Sequence, residues 1–492
     1  MWQLHRVADL QERTGTRQNV ILVHWHDLGR HLTCYGAEGV VSPHLDRLAA
    51  EGIRFTDAHA TAPLCSPARG SLFTGLHPHR NGLVGLAHHG FEYREGVQTL
   101  PALLGQAGYR SALFGMQHES ADPSQLGFDT VDVSDSLCDY VVARSQEWLA
   151  ENADAAEPFF LTAGFFETHR PYPVDQYEPA DPDTIGVPGF LPDTAQVRED
   201  LSGLHGSITH ADAAVGRLLD TVDELGLAEN TWIVFITDHG LAFPRAKSTL
   251  YGEGTGVAFI VRPPRSLGLA PRVYDDLFSG VDLTPTVLDL LGVPLPEDLD
   301  GETHAAELLE PAGEQVRAGL FTQKTYHDAY DPIRAVRTKQ FSYIENYADR
   351  PALLLPLDIA DSSSASSLDP YETAAPRARR ELYDLVVDPY ERHNVIDEPA
   401  YQWVARRLAG VLANWRVETG DVLPTEAEGT KIAEDFMAAF FAGRAKPDAD
   451  EVPLPSRRPQ GARRELTARE LAEQARADAD RPDRSVPGAV NA

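Results

Sequence analysis

Six residues, Cys65-Ser66-Pro67-Ala68-Arg69-Gly70, set a thiol, a proline and a guanidinium at the start of a helix-like stretch, 67–74, that follows an extended run over 53–60. A free cysteine is ordinarily a small buried hydrophobe. A nucleophile at a helix start instead has backbone N–H groups and the positive end of the helix dipole turned toward an anion. Arg69, one turn on, either serves that anion or makes a surface ion pair. Two further motifs, His26-Asp27-Leu28-Gly29 and Thr237-Asp238-His239-Gly240, each put a carboxylate shortly before a glycine. A carboxylate capping a loop is the ordinary reading of either one. Two of them at two strand ends make a pair of hard oxygen ligands, and a divalent cation held there supplies charge for an anionic substrate and orients a nucleophile.

Such residues need a scaffold that brings them to one edge. Four apolar runs, 19–25, 109–114, 159–166 and 231–237, each end in polar residues. Short apolar runs bounded by turn signals fit strands of a largely parallel sheet covered on both faces. Between them lie helix patterns. Ser42-Pro43 caps and opens a helix over 43–51 that Gly52 closes. Ala214, Leu218, Leu219 and Val222 recur at helical spacing over 212–225, before Gly226. Alternating strands and helices predict an α/β fold, a large mostly parallel sheet flanked by helices, with a smaller C-terminal α+β subdomain. Ligands of open α/β sheets bind outside the carboxyl ends of the strands, which predicts that His26, Asp27, His118, His169, Asp238 and His239 meet there.

A second region starts near Ala318. Residues 333–344 read as two strands around a turn, 361–367 as a serine-rich surface loop, and 401–415 as a helix. From Pro447 the chain is rich in Arg, Pro, Asp and Ala and reads as a flexible tail with one short helix, 466–477. The expected division is an N-terminal extension 1–17, a catalytic domain 18–317, a C-terminal subdomain 318–446 and a tail 447–492.

Charge and cysteine usage narrow the function classes. With 74 acidic against 43 basic residues the formal net charge is -31, a field that repels nucleic acid and anionic membranes. Three cysteines, Cys34, Cys65 and Cys138, are too few and too scattered for a disulfide framework and fit a reducing compartment. The first apolar run, 20–23, is far too short for a signal peptide or a membrane span. The expectation is a soluble, cytoplasmic protein.

The Cys-x-Pro-x-Arg pattern of 65–69 resembles the core of the sulfatase signature. His26-Asp27-Leu28-Gly29 and Thr237-Asp238-His239-Gly240 are similar to that family's two metal motifs. So are Val281-Asp282-Leu283-Thr284-Pro285-Thr286 and Leu299-Asp300-Gly301 to further landmarks, and Glu381-Leu382-Tyr383-Asp384-Leu385 with Asp388-Pro389-Tyr390-Glu391 to its C-terminal signature. Each motif is weak alone; their common order from Gln18 to Glu418 is specific. Phe243-Pro244-Arg245 and Lys324-Thr325-Tyr326-His327-Asp328-Ala329-Tyr330-Asp331-Pro332-Ile333-Arg334 resemble the heparan N-sulfatase (sulfamidase) branch; an ordinary loop before a strand is the competing reading of the second.

The resemblance implies an alkaline-phosphatase-like fold and hydrolysis of a sulfate ester or sulfamate of a sugar or small molecule. It implies that Cys65 is oxidised to formylglycine by a formylglycine-generating enzyme, the hydrated aldehyde being the nucleophile, with Asp238 or His239 as base. It implies one divalent cation held by Asp27, Asp238, His239, His26 and the side chain at 65. Arg69 would order the site, His118 would help expel sulfate, and His169 and Lys247 would face the leaving group. Lys247, His169, His327 and Arg334 would bind substrate. Two positions depart from the family pattern. His26 stands where a second aspartate is usual; calcium prefers oxygen, so an imidazole there either stays out of the ligand set or points to Mn2+ rather than Ca2+. Met116 stands where a lysine is usual, which removes one positive charge. A phosphonate or phosphate ester hydrolase of the same superfamily, and a non-catalytic binding protein on the same scaffold, are the alternatives. The sequence leaves the oligomeric state open.

Overall fold

The computed structural model describes residues 17–310, 316–369 and 373–443. The 1–17 extension, Arg17 apart, and the 447–492 tail with its expected helix lie outside these residues.

Eight strands form the large sheet: β1 (Asn19–Trp25), β2 (Ile53–His59), β3 (Arg110–Gly115), β4 (Thr130–Asp132), β5 (Phe159–Gly164), β6 (Thr231–Thr237), β7 (Phe259–Arg262) and β8 (Arg272–Ser279). Their order is β4-β3-β5-β1-β6-β7-β2-β8. β7 runs antiparallel to both neighbours, β6 and β2, and the other pairings are parallel. All seven residues of β1 and of β6 are buried, as a strand covered on both faces must be. The four strands anticipated from apolar runs occupy the centre, β3-β5-β1-β6; β4, β7 and β8 were not anticipated, although 257–261, overlapping β7, is itself an unbroken apolar run. The β5 run ends at Gly164 rather than 166. A side chain at Gly164 would meet the Met116 carbonyl at 2.1 Å and the His24 ring at 2.4 Å, so the strand leaves the sheet where two backbones close on each other.

Helices cover both faces. Pro43–Glu51 forms as expected. The helix expected over 212–225 is the end of a longer one, Ala195–Glu224, capped by the Thr194 side chain. Its first half is disguised by Gly203 and Gly206, poor helix formers. They are tolerated because the 172–180 loop crosses there: a Cβ on Gly206 would lie 2.5 Å from the Glu178 carbonyl oxygen.

The C-terminal part holds a four-stranded antiparallel sheet, β12-β11-β10-β9, from β9 (Leu320–Tyr326), β10 (Tyr330–Arg337), β11 (Phe341–Asn346) and β12 (Arg380–Asp384). β10 and β11 are the two strands expected around a turn. The helix Gln402–Thr419 packs Val404, Leu408, Leu412 and Trp415 onto Phe321, Val336, Tyr343 and Leu382, with Trp415 stacked on Phe321 at 4.7 Å. The sheet is docked through β9: the Gln323 amide donates to the Thr61 carbonyl (2.8 Å), and Lys324 Nζ donates to the Ser248 carbonyl (3.0 Å). Those two acceptors lie in the loops that lead to Cys65 and from Lys247.

The serine-rich stretch is not a loose surface loop. Leu357–Ala360 and Ser363–Ser366 are single helical turns, and Ile359 and Ser364 are buried. Short polar side chains compete for backbone hydrogen bonds and read as loop in sequence; here the Ser362 hydroxyl caps the second turn by accepting from the Ala365 amide.

Candidate active site

Strand register builds the centre of the site. β1 and β6 are parallel, with Trp25 beside Thr237, so the residues after each strand emerge side by side. The Asp27 amide donates to Asp238 Oδ1 at 2.9 Å, and the His239 amide donates to the same oxygen at 2.8 Å. Asp27 itself sits at φ 48, left-handed, a strained geometry for a non-glycine residue. The glycine of the second motif has a clear cause: a Cβ on Gly240 would lie 1.7 Å from the Glu253 carbonyl oxygen.

Cys65 is the first residue of the helix Cys65–Thr74, all ten residues of which are buried. Its Sγ lies 3.4 Å from His239 Nε2 and 4.0 Å from Asp27 Oδ1. Arg69, one turn on, has its guanidinium taken up by Asp238 Oδ2 (3.2 Å), His24 Nδ1 (2.5 Å) and the Trp25 carbonyl (3.3 Å). It therefore clamps the second carboxylate from the back of the site. His26 Nδ1 lies 3.0 Å from Asp238 Oδ2, and its Nε2 is buried without a hydrogen-bond partner. One atom each of His26, Asp27, Cys65 and Asp238 fall within 4.8 Å of one another. Two carboxylates, an imidazole with an orphaned nitrogen and the side chain at 65 thus fit a divalent cation.

The flanks come from the neighbouring strands. β5 leads to His169, whose Nε2 is 3.7 Å from Asp27 Oδ2 and whose side chain is 20% exposed. β3 leads to His118, which meets His26 edge-on at 5.3 Å and stacks on His88 at 5.1 Å. Lys247 Nζ donates to Asp27 Oδ2 (2.8 Å) and to Asp358 Oδ2 (2.6 Å). His327 contributes Nδ1 to a 3.2 Å contact with Ser248 Oγ, beside Lys247. Met116 is buried and brings no charge.

Electrostatics follow from this packing. Burial alone would push the Cys65 thiol up, but Lys247, His26 and His239 together hold it well below its ordinary value. Burial opposes charge on Lys247 as well; Asp27, Cys65 and Asp358 outweigh it and keep the ammonium. His26 is raised to about 10, because Asp238 and Cys65 prevail over burial and Arg69. Burial raises the carboxyl of Asp27, yet Lys247, His169 and His239 hold it well down. Burial lowers His169, against the pull of Asp27, and brings His327 down to about 4.

One expected substrate ligand is not brought in. Arg334 is buried on β10, and all five of its N–H donors are used: on Asp421 (2.7 and 2.7 Å), the carbonyls of Lys324 and Ile333, and Thr325 Oγ1. It ties the helix Gln402–Thr419 to the small sheet instead of facing substrate. Three residues at the site escaped sequence reasoning. His24 precedes His26 by two along the strand, so period-two alternation puts both on one face and was a usable signal. His88 follows no motif. Asp358, between Leu357 and Ile359, carries no local signal.

The large mixed sheet with helices on both faces, carrying this cluster at its strand ends, is an alkaline-phosphatase-like fold. A family profile for "Sulfatase" matches residues 18–293, more than half of the chain, and the chain belongs to that family. It is a sulfatase, an enzyme of sulfate ester or sulfamate hydrolysis. The chain is 29% identical over 460 residues to human N-sulphoglucosamine sulphohydrolase, covering 82% of this chain and 91% of that protein. A structure solved with its substrate D-glucosamine-2-N,6-O-disulfate aligns at TM-score 0.63 and 20% identity, over 82% of this chain and 98% of that one. The phosphonate monoester hydrolase of Agrobacterium radiobacter aligns at TM-score 0.63 and 19% identity, over 82% and 96%; it shares the fold. Among the described residues no helix is long and apolar enough to cross a membrane.

Proposed function

We propose that this sulfatase acts on a small sulfated sugar or amine through formylglycine at position 65 and one divalent cation. The observation that carries the reading is the convergence of Asp27, Asp238, His26 and His239 on Cys65 at a buried helix start. Asp27 and Asp238 would hold the cation, with His26 and the side chain at 65 completing the set, and it would supply Lewis-acid charge to the sulfate oxygens. Ca2+ is the family's expectation; His26 inside the donor set favours Mn2+. Converted to formylglycine, residue 65 would supply a hydrated aldehyde as nucleophile.

The chain's own residues divide the remaining work. His239, 3.4 Å from Sγ, is placed to take the nucleophile's proton, with Asp238 hydrogen-bonded to its amide. Lys247 presents a positive charge to the sulfate. His169, partly exposed and next to Asp27, is placed to protonate the leaving atom. Arg69 fixes Asp238, and His118 lies beside His26 to accept a proton during release of sulfate.

The test is the intact mass of the peptide containing residue 65 from protein produced with a formylglycine-generating enzyme. Conversion of thiol to aldehyde lowers it by about 18 Da, whereas sulfur oxidation adds oxygen. Converted protein should turn over a sulfate ester or sulfamate faster than matched phosphorus esters. Unconverted protein that still binds sulfated sugars would favour a binding role, and a higher kcat/KM on a phosphonate monoester would reassign the reaction.

A further inference from the structure

Lys247 is held between two carboxylates, and only one of them, Asp27, belongs to the metal motifs. The other, Asp358, comes from the C-terminal half of the chain. It sits on the helical turn Leu357–Ala360. That turn is tethered at both sides of the site. The Leu357 amide donates to Asp328 Oδ2 (2.8 Å), next to His327. Ser364 donates through its hydroxyl (2.5 Å) and amide (3.2 Å) to Asp200 Oδ2, and Asp200 forks with Arg170 at 2.6 and 2.6 Å, next to His169. An oxygen of Asp358 lies within 4.8 Å of both His169 and Asp27 ligand atoms. Its side chain is 24% exposed, and its second oxygen, Oδ1, is buried without a hydrogen-bond partner.

A carboxylate is an odd neighbour for a site that binds sulfate. With Asp27 turned to the cation, Asp358 is the carboxylate that remains beside Lys247 on the leaving-group side. That charge is useful for one class of leaving group. For a sulfamate the balance is R–NH–SO3⁻ + H2O → R–NH3⁺ + SO4²⁻: the S–N bond breaks with its electron pair going to nitrogen, and nitrogen gains protons. For an ester it is R–O–SO3⁻ + H2O → R–OH + HSO4⁻, and the leaving group ends neutral. A 2-amino sugar has electron-withdrawing oxygens near its nitrogen and, like an α-amino group, keeps its proton up to about pH 7.7–8, so at neutral pH the amine ends as a cation, and its N–H groups need an acceptor. The orphaned Oδ1 of Asp358 is such an acceptor.

We infer that Asp358 is a specificity-determining residue, a carboxylate that hydrogen-bonds the leaving nitrogen and favours N-sulfated amines over O-sulfated alcohols. This rests on the proposed sulfatase chemistry and names its substrate class. An acceptor oxygen left unpaired in the free enzyme discriminates more strongly than shape, because a substrate without the matching N–H leaves it unpaired after binding as well.

D-Glucosamine-2-N,6-O-disulfate carries both leaving groups in one molecule, so the order in which its sulfates leave reads the ratio of the two kcat/KM values directly. The wild-type enzyme, verified as converted at position 65, should release the N-sulfate first. Asp358→Asn should lower the N-to-O ratio about 10–100-fold, the range for losing a hydrogen bond to a charged group. Asp358→Glu should recover part of it. The ratio is unaffected by the fraction of a variant that folds. An unchanged ratio in Asp358→Asn, with both rates reduced alike, would mean that Asp358 only positions Lys247 and would overturn the inference. So would a wild-type enzyme that cleaves 4-nitrophenyl sulfate but releases the 6-O-sulfate first or neither sulfate. Converted, metal-loaded protein inactive on every sulfate and sulfamate would instead defeat the underlying sulfatase reading.

Discussion

Two regions meet at Lys247, and they are made differently. On one side Asp27, Asp238, His239 and Cys65 stand on strand ends and a helix start. Their positions follow from β1–β6 register and from amides that donate to Asp238. On the other side Asp358 stands on a single helical turn, held in place by Asp328, Asp200 and Ser364. The first region cannot shift without breaking two adjacent, fully buried strands. The second hangs on a few exposed or part-buried hydrogen bonds to carboxylates, each worth about 1.5 kcal/mol net. On the proposed mechanism, reaction chemistry would be fixed by the core of the molecule, and choice of leaving group by a segment that can change at little cost to folding.

The strongest way to break this contrast is at the strand ends. Asp27→Ala or Asp238→Ala should lose bound metal, read by elemental analysis, and activity by more than about 10³-fold, because several kcal/mol of transition-state charge stabilisation go with the cation. Cys65→Ala should be equally inactive. Full activity after chelation with EDTA would remove the metal from the site and with it the basis for the contrast.

The leaving-group side should show a smaller, selective effect. A general acid contributes roughly 10²–10⁴-fold, and most when the leaving group is poor. His169→Ala should therefore cost far more on a sugar sulfate than on an aryl sulfate. Equal losses on both would make His169 a binding residue and pass the acid role to Lys247.

Arg334 sharpens the contrast from the structural side. Removing one partner of a buried ion pair costs about 3–5 kcal/mol. Arg334→Met should lower the melting temperature strongly, while kcat/KM per folded molecule changes little. Burial would raise the carboxyl of Asp421, but Arg334 leads the charges that hold it well below the ordinary range. A carboxyl depressed on folding stabilises the protein above its unfolded value, near pH 4, and that contribution is lost as pH falls below it. The variant should accordingly lose much of the wild type's stability decline as pH falls below about 4, in melting curves taken across that acid window. A large rise in KM with an unchanged melting temperature would return Arg334 to the substrate.

How much of this was legible follows the same division. That Asp27, Asp238, His239 and Cys65 meet could be read from sequence because each sits in a short motif that follows an extended or apolar run, where local signals and sheet topology agree. His327 was reached through a resemblance, and Arg334 was misread by the same resemblance, since nothing local tells a buried arginine from a binding one. Asp358 was invisible. Its placement depends on a contact between residues 164 positions apart, Ser364 and Asp200, and on serines whose helical turns form only against the long helix Ala195–Glu224.

That tether gives the smallest and most discriminating test. Ser364→Ala deletes the hydroxyl bond to Asp200 Oδ2 and leaves the Ser364 amide bond and the buried Ile359 in place. Losing one such bond to a carboxylate, about 1.5 kcal/mol, shifts a docked segment toward undocking about tenfold. If Asp358 acts only when the turn is docked, N-desulfation should fall by no more than that factor, O-desulfation by less, and the melting temperature should stay within a degree or two. A loss of 100-fold would mean that the serine turn is as rigid a part of the site as the strand ends. No change at all would place the docking in Ile359 and Asp328, and Asp328→Ala should then show the effect that Ser364→Ala did not.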